Sequence, residues 1–261
     1  MSRSGWYVRF FTGLYSRVLA RQFRRSTSLQ EARTVKRLLR VRRGARRCGR
    51  NASRRFCGAR VLDIPCGQGR LTIPLARMGL RMTGVDLTPG YIWTARRNAK
   101  RSRLRIDFIR GDMREAVSPG GFDAAFNWFG SFGYFSDEDN LKFCRAVLRA
   151  LKPGGRFLVE GPNKHWILAN FRPRMESVYG GVRIVQRSRW DRRGSRIVTR
   201  WTLLRGKKVE HHTSRMRIFG GADMRGLLLS AGFRDIRLYG RRPVGPFRRN
   251  SPRLVAVGKR P

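Results

Sequence analysis

Acid is what this chain has least of. Sixteen Asp and Glu stand against 59 Lys and Arg, a formal net charge of +43 at pH 7. Lysine is scarce as well, with eight of those bases. A polyanion site needs arginines clustered on one face. Here they are spread: residues 1–60 hold 18 bases and one acid, 61–160 hold 16 and ten, and 161–261 hold 25 and five. That favours compositional bias of the source, with non-specific contact to nucleic acid or an anionic surface through Arg as its consequence. Cysteine is sparse: Cys48, Cys57, Cys66 and Cys144 form no CxxC pair. His165, His211 and His212 do not complete a zinc pattern, so no metal site is expected and the thiols are read as free in a reducing cytoplasm. No apolar run reaches the roughly 18 residues of a membrane span. Arg3, Arg9 and Arg17 break up any signal-peptide core. A cytoplasmic protein without a transmembrane segment is the expectation.

What is present is periodic. Residues 6–42 read as helix, with Phe10, Leu14, Val18 and Phe23 on one face and Leu29, Ala32, Val35, Leu38 and Leu39 on another. Ser26 and Ser28 with Glu31 resemble an N-cap and capping box. Residues 43–60 have no apolar period, and Gly44-Ala45-Arg46 recurs as Gly58-Ala59-Arg60. Three units are expected: an N-terminal helical lid over 1–46, a basic insertion loop over 47–60, and a main domain over 61–261.

From Val61 strands and helices alternate. Val61–Ile64, Met82–Val85, Ile106–Ile109, Phe122–Phe126 and Arg156–Glu160 are strands with helices between them. Ser136, followed by Asp137, Glu138 and Asp139, signs a helix start. Residues 182–218 change period and predict three antiparallel strands, an insertion at about 176–219. A helix ending at Gly232 and strands at Phe233–Leu238 and Leu254–Val257 close the sheet. The fold predicted is α/β: a doubly wound, mostly parallel, Rossmann-like seven-stranded sheet with an N-terminal helical segment and a small antiparallel β insertion. Ligands of such sheets sit outside the carboxyl ends of the strands. Asp63, Asp86, Asp112 and Asn127 lie at or near four of those ends.

The stretch VLDIPCGQGR carries the glycine loop of the first strand. No Walker A pattern is present. A dinucleotide fingerprint needs a third glycine where this chain has Thr72. Asp86 is placed for a ribose diol and Asp112 for an adenine amino group. Apart from Arg70, no base in the loop matches a pyrophosphate. The set suits a nucleoside with a cationic sulfonium and a free amino-acid end.

On these residues the sequence resembles the class I S-adenosylmethionine-dependent methyltransferases. VLDIPCGQGR, TGVDLTPGYI, IRGDMRE and LKPGGRFLVEG resemble their successive motifs. FDAAFNWFGSFGYFSDEDN resembles the methyltransferase domain 25 small-molecule group, as do GWYVRFFTGLY and RIFGGADMRGLLLSAGFRDIRLYG. The resemblance implies S-adenosyl-L-methionine as cofactor. It implies that Asp63, Gly67 and Gly69 wrap the methionine part, Asp86 and Leu87 hold ribose and adenine, Asp112 and Met113 flank the adenine, and Asn127 faces the sulfonium. It implies methyl transfer to N or O of a small-molecule acceptor. By residue type and by its place shortly after the fifth strand, His165 is the candidate base if the acceptor must lose a proton, with Tyr134 orienting the acceptor and Tyr7 and Tyr15 in the lid. Trp128 to Phe135 is read as a pocket wall and Cys66 as a buried filler. The rivals are a nucleic-acid methyltransferase and a non-catalytic basic nucleic-acid-binding protein. Against the first, Asn127 is followed by Trp128 and Phe129 rather than by a proline pair, and the sole Pro-Cys, Pro65-Cys66, lies in the glycine loop.

Overall fold

The computed structural model describes residues 5–41, 58–115, 121–241 and 245–261. In chain order the elements are α1 (Trp6–Phe10), α2 (Gly13–Gln22), α3 (Arg25–Leu39), β1 (Arg60–Asp63), α4 (Thr72–Arg77), β2 (Arg81–Asp86), α5 (Pro89–Arg101), β3 (Asp107–Arg110), β4 (Phe122–Asn127), α6 (Asp137–Ala150) and β5 (Leu151–Pro162). Then follow α7 (Lys164–Ala169), β6 (Arg174–Tyr179), β7 (Val182–Asp191), β8 (Arg196–Arg205), β9 (Lys208–Arg217), α8 (Gly221–Ser230), β10 (Arg234–Arg241), β11 (Gly245–Pro246) and β12 (Arg253–Lys259).

The larger sheet runs β11-β10-β12-β5-β4-β1-β2-β3. Strands β1 to β5 are mutually parallel, and β12 lies antiparallel between β5 and β10. The short β11 brings the count to eight rather than the seven expected, and the fold class is the one predicted. Chain order reverses at β1, which is flanked by β2 and β4, so the crevice outside its carboxyl end is where a ligand fits.

Alternation along each strand builds two layers. Leu62, Ile64, Phe157, Val159 and Leu254 face Phe143 and Val147 of α6 and Leu228 of α8. Val61, Phe126, Leu158 and Val257 face Val35 and Leu38 of α3 and Leu75 of α4. The helix α6 begins as expected, with the Ser136 side chain accepting from the Asp139 amide at 3.1 Å.

The N-terminal segment differs from its prediction. The helical segment expected over 6–42, with a restart at Ser26 or Ser28, is three helices: α1 and α2 are separated at Phe11-Thr12, and α2 and α3 at Phe23-Arg24. The helices α1 and α2 lie over the crevice with the first turns of α3, whose Arg25, Ser28 and Leu29 line it; the rest of α3 packs into the layer beside α4. Neither Ser26 nor Ser28 is an N-cap. The cap position is Arg24, and the Ser28 hydroxyl turns back to the Arg24 carbonyl. A tertiary partner takes Glu31 instead, as shown below. The basic insertion loop expected over 47–60 lies outside the described residues as far as residue 57.

The second sheet has four strands, β6-β7-β8-β9, where three were expected. The missed strand, β6, is an edge strand with nearly every residue exposed, so it has no alternation to read. Leu14 and Val18 of α2 pack on Val182, Ile184 and Leu203, which fixes this sheet against the N-terminal helices. Among the described residues no helix is long and apolar enough to cross a membrane.

Candidate active site

A cavity of about 1220 Å³ opens at the carboxyl ends of β1, β2 and β3. One wall is the glycine loop, Pro65 to Leu71. Its hold on the sheet is specific. The Cys66 amide donates to the Val85 carbonyl at 2.8 Å, and the Gly67 amide to Asp86 Oδ2 at 2.9 Å. Gly67 has φ +54°, and nothing lies within 4 Å of the place a Cβ would take. Any other residue would be strained there and would put its side chain into the open space above the loop.

Three carboxylates meet this space. Asp63 is buried; its Oδ2 accepts from the Thr72 hydroxyl at 2.6 Å. Thr72, which occupies the place of a third fingerprint glycine, therefore has a polar job of its own. Burial pushes the Asp63 carboxyl up to about 7, against the lowering by Thr72 and Arg70. Asp86 is also buried and is also raised by burial, although the amides of Thr88 and Gly67 lower it. Its Oδ1 accepts from the Thr88 amide at 2.8 Å. Asp112 lies on the loop after β3. Burial raises its carboxyl, but Arg114 outweighs that and holds it below the ordinary range. The Arg114 Nη2 to Asp112 Oδ2 distance is 2.6 Å, and Arg114 also bridges to Asp139. Leu87 and Met113 line the same cavity, and Gly69 turns the loop with φ +80°.

Two expected site residues are elsewhere. Asn127 is fully buried and does not line the cavity. Its Nδ2 donates to the Ile64 carbonyl at 3.0 Å, which ties the end of β4 to the end of β1. Its Oδ1 is buried and has no hydrogen-bond partner among the described residues. His165 does not line the cavity either; it sits against the start of α8, where a Cβ on Gly220 would stand 3.1 Å from its Nε2. The candidate base of the sequence reading is thus held by an element on the other side of β5. Tyr134 does line the cavity, and burial raises its phenol, so the group stays protonated at neutral pH.

The opposite wall is aromatic. Trp128, Phe129, Tyr134 and Phe135 line the cavity, while Phe132 turns to the core against Phe143 and Phe219. Above them α1 brings Trp6 to 5.0 Å from Tyr134 and Tyr7 to 5.1 Å from Phe135. Tyr15 lines the roof as well, and the inner face of the second sheet adds Gln186, Trp201, Ser214 and Met216. Tyr91, at the head of α5, is buried, and its hydroxyl has no hydrogen-bond partner among the described residues.

Sequence reasoning missed two buried ion pairs beside this wall. Glu31 accepts from Arg70 Nη1 at 2.5 Å and from the Trp128 indole at 3.2 Å. Arg70 also stacks on Phe23, 4.0 Å from the ring centre. Glu160 accepts from Arg253 Nε at 2.5 Å and from the Phe129 amide at 2.7 Å. Neither pair has a sequence signature, because its members lie 39 and 93 residues apart. The one signal was rarity: in a chain this poor in acid, a Glu inside an apolar period invites a partner.

Residues 61–155 match the family model described as a methyltransferase domain. The chain is 38% identical over 112 residues to the S-adenosyl-L-methionine-dependent Diels-Alderase iccD of Talaromyces variabilis, 40% of this chain and 36% of that protein. It is 39% identical over 104 residues to the ubiquinone biosynthesis O-methyltransferase of Ruegeria pomeroyi, 39% of this chain and 40% of that one. The match thus spans about two fifths of the length of these relatives. A crystal structure of an S-adenosylmethionine-dependent methyltransferase from Clostridium acetobutylicum ATCC 824 shares the fold, with TM-score 0.72 over 94% of this chain and 96% of that one at 14% identity.

Proposed function

We propose that this chain, whose residues 61–155 are a methyltransferase domain in the fold of the S-adenosylmethionine-dependent methyltransferases, moves a methyl group from S-adenosylmethionine to an oxygen or nitrogen of a small molecule. One observation carries the reading. Asp63, Asp86 and Asp112 converge from the ends of β1, β2 and β3 on a cavity whose far wall is aromatic. The acids suit a cofactor with a positive sulfonium, an ammonium and hydroxyls. The rings suit an organic acceptor. The empty space at Gly67 supports the reading, because it leaves room beside the loop backbone for such a group.

In this reading Gly67 and Gly69 let backbone approach the amino-acid end, with Asp63 facing its ammonium. Asp86 and Leu87 receive the ribose, and Asp112 and Met113 border the adenine. Bound there, S-adenosylmethionine supplies a methyl carbon on a good leaving group. The protein's task is then alignment and exclusion of water. Trp6, Tyr7 and Tyr15 close the roof, and Tyr134 presents a protonated hydroxyl that orients the acceptor by hydrogen bonding. No base is assigned: His165 is away from the cavity, so an acceptor that must lose a proton is one that ionises readily by itself.

The direct test is incubation of the purified chain with methyl-labelled S-adenosylmethionine and either total RNA or an extract of small metabolites. Label is expected in the metabolite fraction. Label on RNA, or cofactor binding without any label transfer, overturns the reading.

The raised Asp63 carboxyl adds a pH test. An unfolded Asp ionises near 3.9, while the folded one keeps its proton to about 7. Between these values the folded state binds the extra proton, so stability falls as pH rises through that window. A cationic ligand favours the ionised form, and its affinity rises over the upper part of the same window. Calorimetric titration is expected to show tighter S-adenosylmethionine binding at pH 8 than at pH 6, with Asp63→Asn weaker and flatter. An equal pH dependence in both proteins would remove Asp63 from the site.

A further inference from the structure

Arg253 is the first residue of β12 and pairs in register with Pro162, the last of β5. It lines the cavity from the side away from the glycine loop. Three strand spacings separate β12 from β1, about 14 Å, so Arg253 belongs to the acceptor end. Its Nε is fixed on Glu160, which is fully buried and also holds the amides of Phe129 and Gly130, the latter through its carbonyl at 3.1 Å. Phe129 and Gly130 both have left-handed backbone, φ +71° and +69°. For Phe129 that conformation costs energy and persists because its surroundings impose it. The turn lets the guanidinium come close: a Cβ on Gly130 would stand 3.9 Å from Arg253 Nη2. That Nη2 is buried and has no hydrogen-bond partner among the described residues.

An orphaned guanidinium nitrogen is a strong donor without an acceptor, and leaving one so is costly. Its acid partner does not offer itself to a ligand, since Glu160 is not in the lining. The lining's only carboxylates among the described residues are Asp63, Asp86 and Asp112, all at the cofactor end. An acceptor therefore meets rings and a positive edge, and no acid that would pair with an amine.

Resting on the methyl-transfer reading, we propose that the acceptor is a flat aromatic compound bearing a carboxylate, and that Arg253 is the specificity residue that binds it. The ring lies among Trp6, Phe11, Tyr134 and Trp201, and the carboxylate meets the cavity-facing edge of the guanidinium, whose side chain is 31% exposed. A charge-assisted bond at this depth is about twice as strong as a neutral one.

Three compounds of one ring and different charge test this: 3,4-dihydroxybenzoate, catechol and 3,4-dihydroxyphenethylamine. Binding is read by quenching of tryptophan fluorescence with S-adenosylhomocysteine saturating, after calorimetry has shown that the latter binds. The acid is expected to bind about tenfold more tightly than catechol, and the amine more weakly than either. Arg253→Met is expected to bring the acid and catechol within about threefold of each other, with S-adenosylhomocysteine affinity kept. Because that change removes the counter-charge that Arg253 gives Glu160, the double variant Glu160→Gln/Arg253→Met is made beside it and must lose the same preference. An amine bound as tightly as the acid, no acid binding, a preference that survives loss of Arg253, or a loss of S-adenosylhomocysteine affinity in the Arg253 variants overturns the assignment. Failure of S-adenosylhomocysteine to bind the unaltered chain would instead defeat the methyltransferase reading itself.

Discussion

Asp86→Ala is expected to weaken S-adenosylmethionine binding by tenfold at the least, read by calorimetry on folded protein. Two separate losses add. The carboxylate holds the Gly67 amide at 2.9 Å and the Thr88 amide at 2.8 Å, so it fixes the glycine loop and the start of α5 at once. It also lines the cavity, where in the proposed reading its remaining lone pairs receive the ribose. A buried hydrogen bond to a charged group contributes about 1.5–3 kcal/mol, or ~10- to 150-fold in affinity. Asp86→Asn separates the losses. The amide keeps one acceptor for Thr88 and turns a donor toward the Gly67 amide, so the loop is disturbed while burial and volume stay. Its affinity is expected to fall nearly as far. Affinity within threefold of the unaltered protein in both variants would mean that the ligand does not meet Asp86.

Glu31→Ala is expected to cost about 3 kcal/mol of stability in chemical denaturation, because breaking a buried ion pair strands its partner. Arg70 keeps some exposure and its stacking on Phe23, which holds the figure at the lower end of that class. The same change releases the Trp128 indole, so the wall behind the cavity loosens as well. The pairing idea is checked by the double variant Glu31→Leu/Arg70→Met, which removes both charges and keeps apolar volume. It is expected to recover most of the loss. A cost near zero in the single variant would show that Arg70 is already satisfied without Glu31.

Much of this was legible in the chain. Short apolar runs separated by helical periods placed β1 to β5 and the helices between them, because the inner strands of a parallel sheet are buried on both faces, as β1, β2 and β4 are. Ser136 and the acids after it placed the start of α6, because capping is a local interaction. Asp63, Asp86 and Asp112 were legible because loops at strand ends are short, so a residue's position in sequence is nearly its position in space. The glycines of the loop were legible for the same reason.

The misreadings share one cause. Ser28 and Glu31 have the spacing of a capping box, yet Glu31 satisfies Arg70 and Trp128 across the fold. Asn127 sits at a strand end like the three acids, yet it spends its donor on the neighbouring strand at Ile64. His165 follows β5 closely, yet the short α7 carries it toward Gly220 and out of the cavity. Edge strand β6 had no buried face to betray it.

The sequence alone determined the doubly wound sheet, the glycine loop and the set of acids at its mouth, since each depends on contacts between near neighbours in the chain. Only the tertiary structure decided which polar groups face the cavity and which are spent on holding it. That choice is made by partners far apart in sequence: Glu31 takes Arg70, and Glu160 takes Arg253 but leaves Nη2 unbonded. A buried charge must find its counter-charge wherever the chain brings one, and periodicity carries no record of where that is.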